Sequence, residues 1–187
     1  MKRGCFLTIG VGVILVMAGA IWWLQMNADP AVTIPQPPAA PVPNAFGDFL
    51  AATKLEVDKD DVDDAISTHP DKARTLAEKQ ALLAANGPCL TKLKEGLAEP
   101  YLSPPIRSYS TLMPYLSGFR ALARLLRFEG QIEAAHGDWH GALESDMDAI
   151  RLGEKLPAGG VIIDRLVGMA CDAIGRKDLW GEIDHIS

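Results

Sequence analysis

The distribution of apolar and polar positions divides the chain into a membrane segment, a proline-rich stretch and a helical domain. The first part is an uncharged, mostly apolar run from Cys5 to Leu24. As a helix this run would span about 30 Å, the thickness of a bilayer's hydrocarbon core. Trp22 and Trp23 stand near its end, and tryptophan is enriched at membrane interfaces. The pattern predicts that residues 5–26 form a transmembrane helix whose partner is the lipid bilayer.

The basic residues near this helix set its orientation. Lys2 and Arg3 precede the apolar run, and the next basic residue is Lys54. The positive-inside rule therefore predicts a single-pass protein of the plasma (inner) membrane, with residues 1–4 in the cytoplasm and the C-terminal domain extracytoplasmic. A cleavable signal peptide is the alternative, since Ala18-Gly19-Ala20 fits a cleavage site, although the apolar run continues past that site.

Small residues recur along one face of the same predicted helix. Gly4, Thr8 and Gly12 are spaced four apart, an arrangement that lets two membrane helices approach closely. A homodimer through the membrane helix is one interpretation of this spacing. Chance alignment is the other, because glycine is common in membrane helices.

The second part is a linker, residues 27–44, in which six of 18 residues are proline. Proline fixes φ and removes a backbone donor, so neither helix nor sheet propagates through such a stretch. We expect a semi-rigid polyproline spacer with a reach of about 55 Å, which holds the domain away from the membrane. Residues 45–187 then supply enough chain for one domain with its own hydrophobic core.

The apolar period of this domain is helical, and no segment shows the two-residue alternation of a strand over a useful length. We therefore predict an all-α domain. Asn44 is placed to cap a first helix that carries Phe46 and Phe49 on one face. The aspartate-rich residues 58–64 predict a solvated loop or a helix start. The later helices are predicted from Pro70 onwards with a division at Asn86-Gly87-Pro88, over Leu112 to His136, over Trp139 to Leu156, and over Val161 to Gly175.

Residues 123–156 have the spacing of a helical hairpin with a tight turn. Small residues stand where two antiparallel helices would touch, and Gly137-Asp138 stands where one helix would end and the next would be capped. The positions that carry this pattern are Leu126, Gly130, Gly137, Trp139, Ala142 and Ala149. On these positions the stretch resembles a tetratricopeptide repeat, a 34-residue helix-turn-helix unit.

The resemblance implies a function as well as a fold. In such repeats the first helices line a face that binds extended peptides or partner helices. The corresponding residues of this chain are Arg120, Arg124, Arg127, Gln131 and Glu133. The chain departs from the family at Glu129, Glu133 and Asp146, where the family usually has large apolar or aromatic residues. A weaker echo follows, because Gly168 and Gly175 repeat the spacing of the earlier glycines and predict a second hairpin.

Net charge bears on the possible partners of the domain, and cysteine content bears on disulfide bonding. Without Lys2 and Arg3 the chain carries 16 basic and 24 acidic side chains, a formal net charge of −8. Such an acidic domain predicts no nucleic-acid partner, since neutralising phosphates requires a basic surface. Cys89 and Cys171 lie outside the membrane segment, and both a disulfide and two buried thiols are open interpretations.

The best catalytic constellation is His136, Asp138 and His140, which are metal-ligand types within five residues. Helical zinc sites use two histidines four apart on one face, whereas the Gly137-Asp138 break would separate these two rings. We therefore expect no metal site, no cofactor and no catalytic residues. A membrane-tethered, metal-dependent hydrolase at His136 and His140 is the alternative function.

Together these features predict a membrane-anchored, extracytoplasmic helical module that serves protein interaction or assembly, with a protein or peptide as its partner. Tethering raises the effective concentration of partners near the membrane, so weak contacts suffice. A further alternative is that these residues are the N-terminal part of a longer chain whose function lies downstream. That alternative rests on Leu179, Trp180 and Ile183, which give the last segment no obvious polar outer face.

Overall fold

The structure is a computed structural model that describes residues 17–23, 25, 36, 38–67, 74–106 and 113–186. The chain divides into two compact units, Met1–Gln36 and Pro37–Ser187. In the first unit residues 17–23 are helical, whereas most of the predicted transmembrane segment and its Gly4, Thr8 and Gly12 lie outside the described residues. Within the described residues, no helix has the length and apolar character that crossing a membrane requires. Most of the predicted linker also lies outside the described residues, and residues 38–44 are not helical.

The second unit contains helices and no strands among its described residues, which confirms the all-α prediction. The helices are α1 (Ala45–Leu55), α2 (Lys59–Ala65), α3 (Leu76–Ala85), α4 (Gly87–Leu97), α5 (Tyr115–Ala135), α6 (Trp139–Lys155) and α7 (Ile162–Ile186). The long helix α5 is central, because each of the other six helices packs against it. Beside it, α1 packs on α4 and α6 packs on α7.

Local sequence signals set several helix boundaries. As predicted, Asn44 caps α1, since its side-chain oxygen accepts a hydrogen bond from the Phe46 N–H at 3.1 Å. Thr75 and Glu78 form a capping box at the start of α3. The sequence Asn86-Gly87-Pro88 separates α3 from α4 as predicted, and the aspartate-rich residues form the start and body of α2.

The last helix differs from the prediction. It was expected to end at Gly175 and to open a second hairpin, but α7 continues without a break to Ile186, so that prediction is wrong. The glycines serve packing instead. A Cβ on Gly168 would lie 2.5 Å from the Gly153 carbonyl oxygen, and one on Gly175 would lie 2.6 Å from the Asp146 carbonyl oxygen. Glycine is therefore required where α7 meets the backbone of α6.

Aromatic side chains form the core at the start of α5. Phe49 and Phe119 are fully buried and meet edge to face with their ring centroids 5.9 Å apart. Phe46, Tyr101 and Tyr115 complete this aromatic cluster. The cluster joins α1, the segment after α4 and the first turns of α5.

The two cysteines of the helical domain are free thiols. Cys89 and Cys171 are both buried and unpaired with each other, which settles the alternatives left open by the sequence. Burial raises the pKa of each thiol to about 12. Neither cysteine is therefore activated as a nucleophile in the folded domain.

Candidate functional site

The predicted hairpin corresponds to α5, α6 and the turn between them. Gly137 ends α5 in the left-handed region, with φ of +79°, and Asp138 caps α6 by accepting a hydrogen bond from the Gly141 N–H at 3.0 Å. A Cβ on Gly130 would lie 3.1 Å from the Ala142 carbonyl oxygen, so the two helices touch there. Fully buried side chains along the contact are Leu126, Ala142 and Ala149. The hairpin is as predicted, and its membership of a repeat family stays a prediction.

The predicted metal-ligand residues have other partners or are exposed. The His136 ring follows α5, and its Nε2 lies within hydrogen-bond distance of the Gln80 side-chain amide. Asp138 is engaged as the cap of α6, and His140 is exposed. In the part of the chain that the structure describes, no group of three or more His, Cys, Asp or Glu residues is placed to hold a metal ion.

Two arginines of the predicted partner-binding face lie near the middle of α5. Arg120 is exposed. Arg124 is partly buried and forms an ion pair with Asp63 of α2 at 2.5 Å. The helix α2 therefore lies against part of this face, and the binding role of these residues stays a prediction.

The other three residues of that face are engaged inside the domain. Arg127 is 5% exposed and donates from Nε to the carboxylate of Asp178 on α7, at 2.8 Å. The Gln131 amide donates to the same carboxylate oxygen at 2.8 Å. Glu133 accepts a hydrogen bond from the Ser145 hydroxyl of α6 at 2.8 Å. These side chains hold α5 to its two neighbours, and Glu133 belongs to a group of carboxylates that lies beside Arg127 and Gln131.

This group, the acidic cluster, consists of Glu133 from α5, Asp146 from α6, and Asp178 and Glu182 from α7. Asp146 is 1% exposed, and neither of its carboxylate oxygens has a hydrogen-bond partner among the described residues. Glu182 is 4% exposed, and its Oε2 is likewise buried and unpartnered. Burying an unpaired charge is costly, so such groups take up a proton or a compensating cation.

The environment shifts the titration of the whole acidic cluster. Burial, together with the carboxylates of Glu182 and Asp178, raises the pKa of Asp146 to about 8. Burial also raises the pKa of Glu182 and of Glu133. Burial alone would raise the pKa of Asp178, but the hydrogen bonds from Arg127 and Gln131 outweigh it and lower that pKa. Asp146 is therefore mostly protonated and Asp178 ionised at neutral pH.

A cavity of about 280 Å³ opens beside the acidic cluster. Two of the cluster's carboxylates, Asp178 and Glu182, line it, and Trp139 and His185 form an aromatic part of its wall. The two rings stack with centroids 3.8 Å apart and planes 10° from parallel. The remaining lining residues are Gln131, Ala134 and Gly181. The surface of the cavity is thus mostly apolar and includes the aromatic pair, with two carboxylates among its lining residues.

The outer face of α7 carries exposed apolar residues, which we call the α7 stripe. Four of them are large and more than half exposed: Ile162 at 79%, Leu166 at 53%, Met169 at 62% and Trp180 at 73%. The members of the stripe are Ile162, Leu166, Met169, Ala173, Trp180 and Ile183. They follow one another at steps of three and four residues, and Arg176 occupies the position between Ala173 and Trp180. This is the spacing of a helix that packs against another helix.

Neither feature was identified from the sequence as a site. The signal for the acidic cluster was present at Glu133 and Asp146, which occupy positions where a tetratricopeptide repeat is usually apolar. The signal for the α7 stripe was the three-and-four spacing that continues past Gly175, the predicted helix end. Comparison of the chain with models of protein families, with curated proteins and with solved structures finds no match.

Proposed function

We propose that the protein is a membrane-anchored, extracytoplasmic module that binds other proteins through its helical domain. The observation that carries this proposal is the α7 stripe. Contiguous exposed apolar surface is unusual on a soluble domain and marks interaction sites. Its members lie on one face of a 25-residue helix, which is enough length to seat a partner helix.

Simple energetics support a protein as the occupant of the stripe. Burying a large apolar side chain gains about 1.5–3 kcal/mol. Leu166 is 53% exposed, and the larger members of the stripe are more exposed still. Covering several such side chains at once offsets part of the entropy lost on association.

The sequence supports the membrane anchor. The apolar run over Cys5 to Leu24 follows Lys2 and Arg3, which favours an N-terminus in the cytoplasm and a domain outside it. The proline-rich residues 27–44 would then hold the domain clear of the lipid. The tetratricopeptide-like hairpin adds support for a role in protein interaction, because that family binds peptides and helices.

Site-specific photo-crosslinking in cells tests the proposal. A photoreactive amino acid is placed at Met169, within the stripe, in the full-length chain. The matched control position is Leu76, an apolar residue of α3 that is 41% exposed and lies on a different helix. We expect a protein adduct from position 169 and none from position 76. The adduct should disappear when Leu166→Glu places a charge on the stripe.

The outcomes separate the proposal from its alternatives. An adduct of about twice the chain mass would identify a second copy as the partner. Extraction of membranes at alkaline pH tests the anchor, and we expect the chain to stay in the membrane pellet. Failure of position 169 to yield a protein adduct, or equal adducts from both positions, would contradict the proposed function.

A further inference from the structure

We infer that the cavity beside the acidic cluster binds the ammonium or guanidinium group of a basic side chain from a protein partner. This inference rests on the proposed function, because it specifies the chemistry of the partner that the module binds. The occupant is identified by the charge of the cavity, by one carboxylate that faces it, and by its size.

The charge of the acidic cluster is incompletely balanced. Asp146 is faced by Glu133 and Arg127 from α5 and by Asp178 and Glu182 from α7. Arg127 is the cation that acts on Asp146, and it already donates to Asp178 at 2.8 Å. Lys94 and Lys177 act more weakly on Glu133 and Asp178. The other three carboxylates have no ion pair among the described residues. A further positive charge would therefore relieve repulsion that the fold leaves in place.

Glu182 connects the acidic cluster to the cavity. The residue lines the cavity although it is only 4% exposed, and its Oε2 is buried without a hydrogen-bond partner in the described part of the chain. A carboxylate accepts strong, charge-assisted hydrogen bonds from an N–H donor, so a small outward turn of the Glu182 side chain would let it pair with a cation in the cavity. Trp139 lies in the same wall, with one face of its indole stacked on the His185 ring.

Size and coordination chemistry select an organic cation from a side chain. Pockets for drug-sized ligands run from about 300 to 1,000 Å³. This cavity of about 280 Å³ lies just below that range and suits a single side chain. A divalent metal requires several converging oxygen ligands, and no group of three or more candidate ligands is placed to hold one among the residues described.

NMR titration of the full chain in detergent micelles tests the inference. The probes are N-acetyl-lysine amide and N-acetyl-arginine amide, and the uncharged control is N-acetyl-norleucine amide. The signal followed is the indole N–H of Trp139, with the indole of Trp180 on the outer face of α7 as an internal reference. We expect both basic amides to shift the Trp139 signal saturably, while the norleucine amide leaves it unchanged.

Two matched variants locate the binding charge. Glu182→Gln keeps the shape of the side chain and should weaken binding of the lysine amide by at least about fivefold. Glu144→Gln changes a carboxylate of α6 whose side chain is 65% exposed and should leave the affinity within about twofold. Circular dichroism of both variants checks that the helical content is unchanged.

The pH dependence provides a second measurement that does not rely on Glu182→Gln folding well. Burial and the nearby carboxylates raise the pKa of Asp146 to about 8, so the cluster gains negative charge between pH 6 and 9. Binding of the lysine amide should tighten over that range in the wild-type chain. Asp146→Asn keeps the side-chain shape. In this variant the affinity should increase less with pH, because only Glu133 and Glu182 remain as carboxyl groups with a raised pKa.

The inference is overturned if neither basic amide gives a saturable shift of the Trp139 indole, or if the norleucine amide or Mg²⁺ shifts it equally. Unchanged affinity in Glu182→Gln would also overturn it. These results are distinguishable from failure of the proposed function. Protein adducts from Met169 without amide binding would remove only the inference, whereas amide binding without any protein adduct would leave the cavity as a cation site and remove the proposed function.

Discussion

The two ends of α5 are built on different physical principles. At its start, Phe119 lies in the aromatic cluster, fully buried among rings contributed by α1 and the segment after α4. Towards its end, Arg127, Gln131 and Glu133 form hydrogen bonds with side chains of α6 and α7. One end of the helix is apolar and packed, and the other contains buried charge.

The difference concerns how the stability of each end depends on pH. An apolar cluster stabilises the fold in a way that hardly depends on pH or on a partner. Buried carboxylates such as Asp146 and Glu182 lower the stability of the folded state unless they are protonated or paired. Carboxylates whose pKa is shifted by burial in this way are concentrated at functional sites in proteins.

The largest loss of stability should come from a substitution in the aromatic cluster at the start of α5. Phe119→Ala removes a fully buried ring that contacts several others, and we expect the free energy of unfolding to fall by about 3–5 kcal/mol. Trp180→Ala, which truncates a side chain that is 73% exposed, should change it by less than about 0.5 kcal/mol. Urea denaturation followed by circular dichroism measures both. Equal losses would contradict the described burial.

The second effect concerns the contact that holds α7 in place. Gly168→Ala puts a Cβ 2.5 Å from the Gly153 carbonyl oxygen, so the helices must separate, and we expect a loss of about 2–3 kcal/mol. Gly181→Ala in the same helix meets no atom within 4 Å and should stabilise the protein by about 0.5–1 kcal/mol through helix propensity. A stable Gly168→Ala variant would show that α6 and α7 lie farther apart.

The third prediction concerns how the free energy of unfolding depends on pH because of the acidic cluster. The pKa of Asp146 is raised from 3.8 to about 8, so its proton favours the folded state below about pH 4, and this stability is lost as the pH rises through 8. The free energy of unfolding of the wild-type chain should therefore fall between pH 6 and 8, by up to about 1.4 kcal/mol per pH unit for one proton.

Two variants sharpen this third prediction. Asp146→Asn should reduce the slope with pH and make the protein more stable than wild type at pH 9. The matched control is Glu154→Gln, which alters an exposed carboxylate of the same helix and should keep the wild-type slope. Denaturant titrations at several pH values measure these slopes. An identical slope in wild type and Asp146→Asn would contradict the shifted pKa of Asp146.

Much of the fold follows from local signals in the sequence. Asn44, the Asn86-Gly87-Pro88 division and the Gly137-Asp138 turn were predicted because each acts through hydrogen bonds or backbone conformation within a few residues. The end of α7 was not predicted correctly, because a glycine such as Gly175 can either end a helix or allow close packing against one, and the local sequence does not distinguish the two. Only the nearby backbone of Asp146, which is distant in sequence, determines which role applies.

The candidate site depends on the same long-range information. Nothing in the local sequence brings Asp178 and Glu182 beside Asp146, because their meeting requires α7 to cross α6 with its glycines in contact. Arg127 was expected on a binding face, but α7 supplies the carboxylate that engages it. Sequence patterns identified the unusual residues at Glu133 and Asp146, and tertiary packing gave them their shared environment.

The backbone contact between Gly153 and Gly168 has a mechanical consequence. The atoms nearest to a Cβ on Gly168 are the Gly153 carbonyl oxygen and the Pro157 ring, and neither can change rotamer to let one helix slide past the other. Glu182 lies 14 residues further along α7, which is about 21 Å of helix. An occupant of the cavity would therefore act on α7 as a rigid rod held near Gly168, and it would displace the end of the helix around Trp180 far more than the neighbouring Met169.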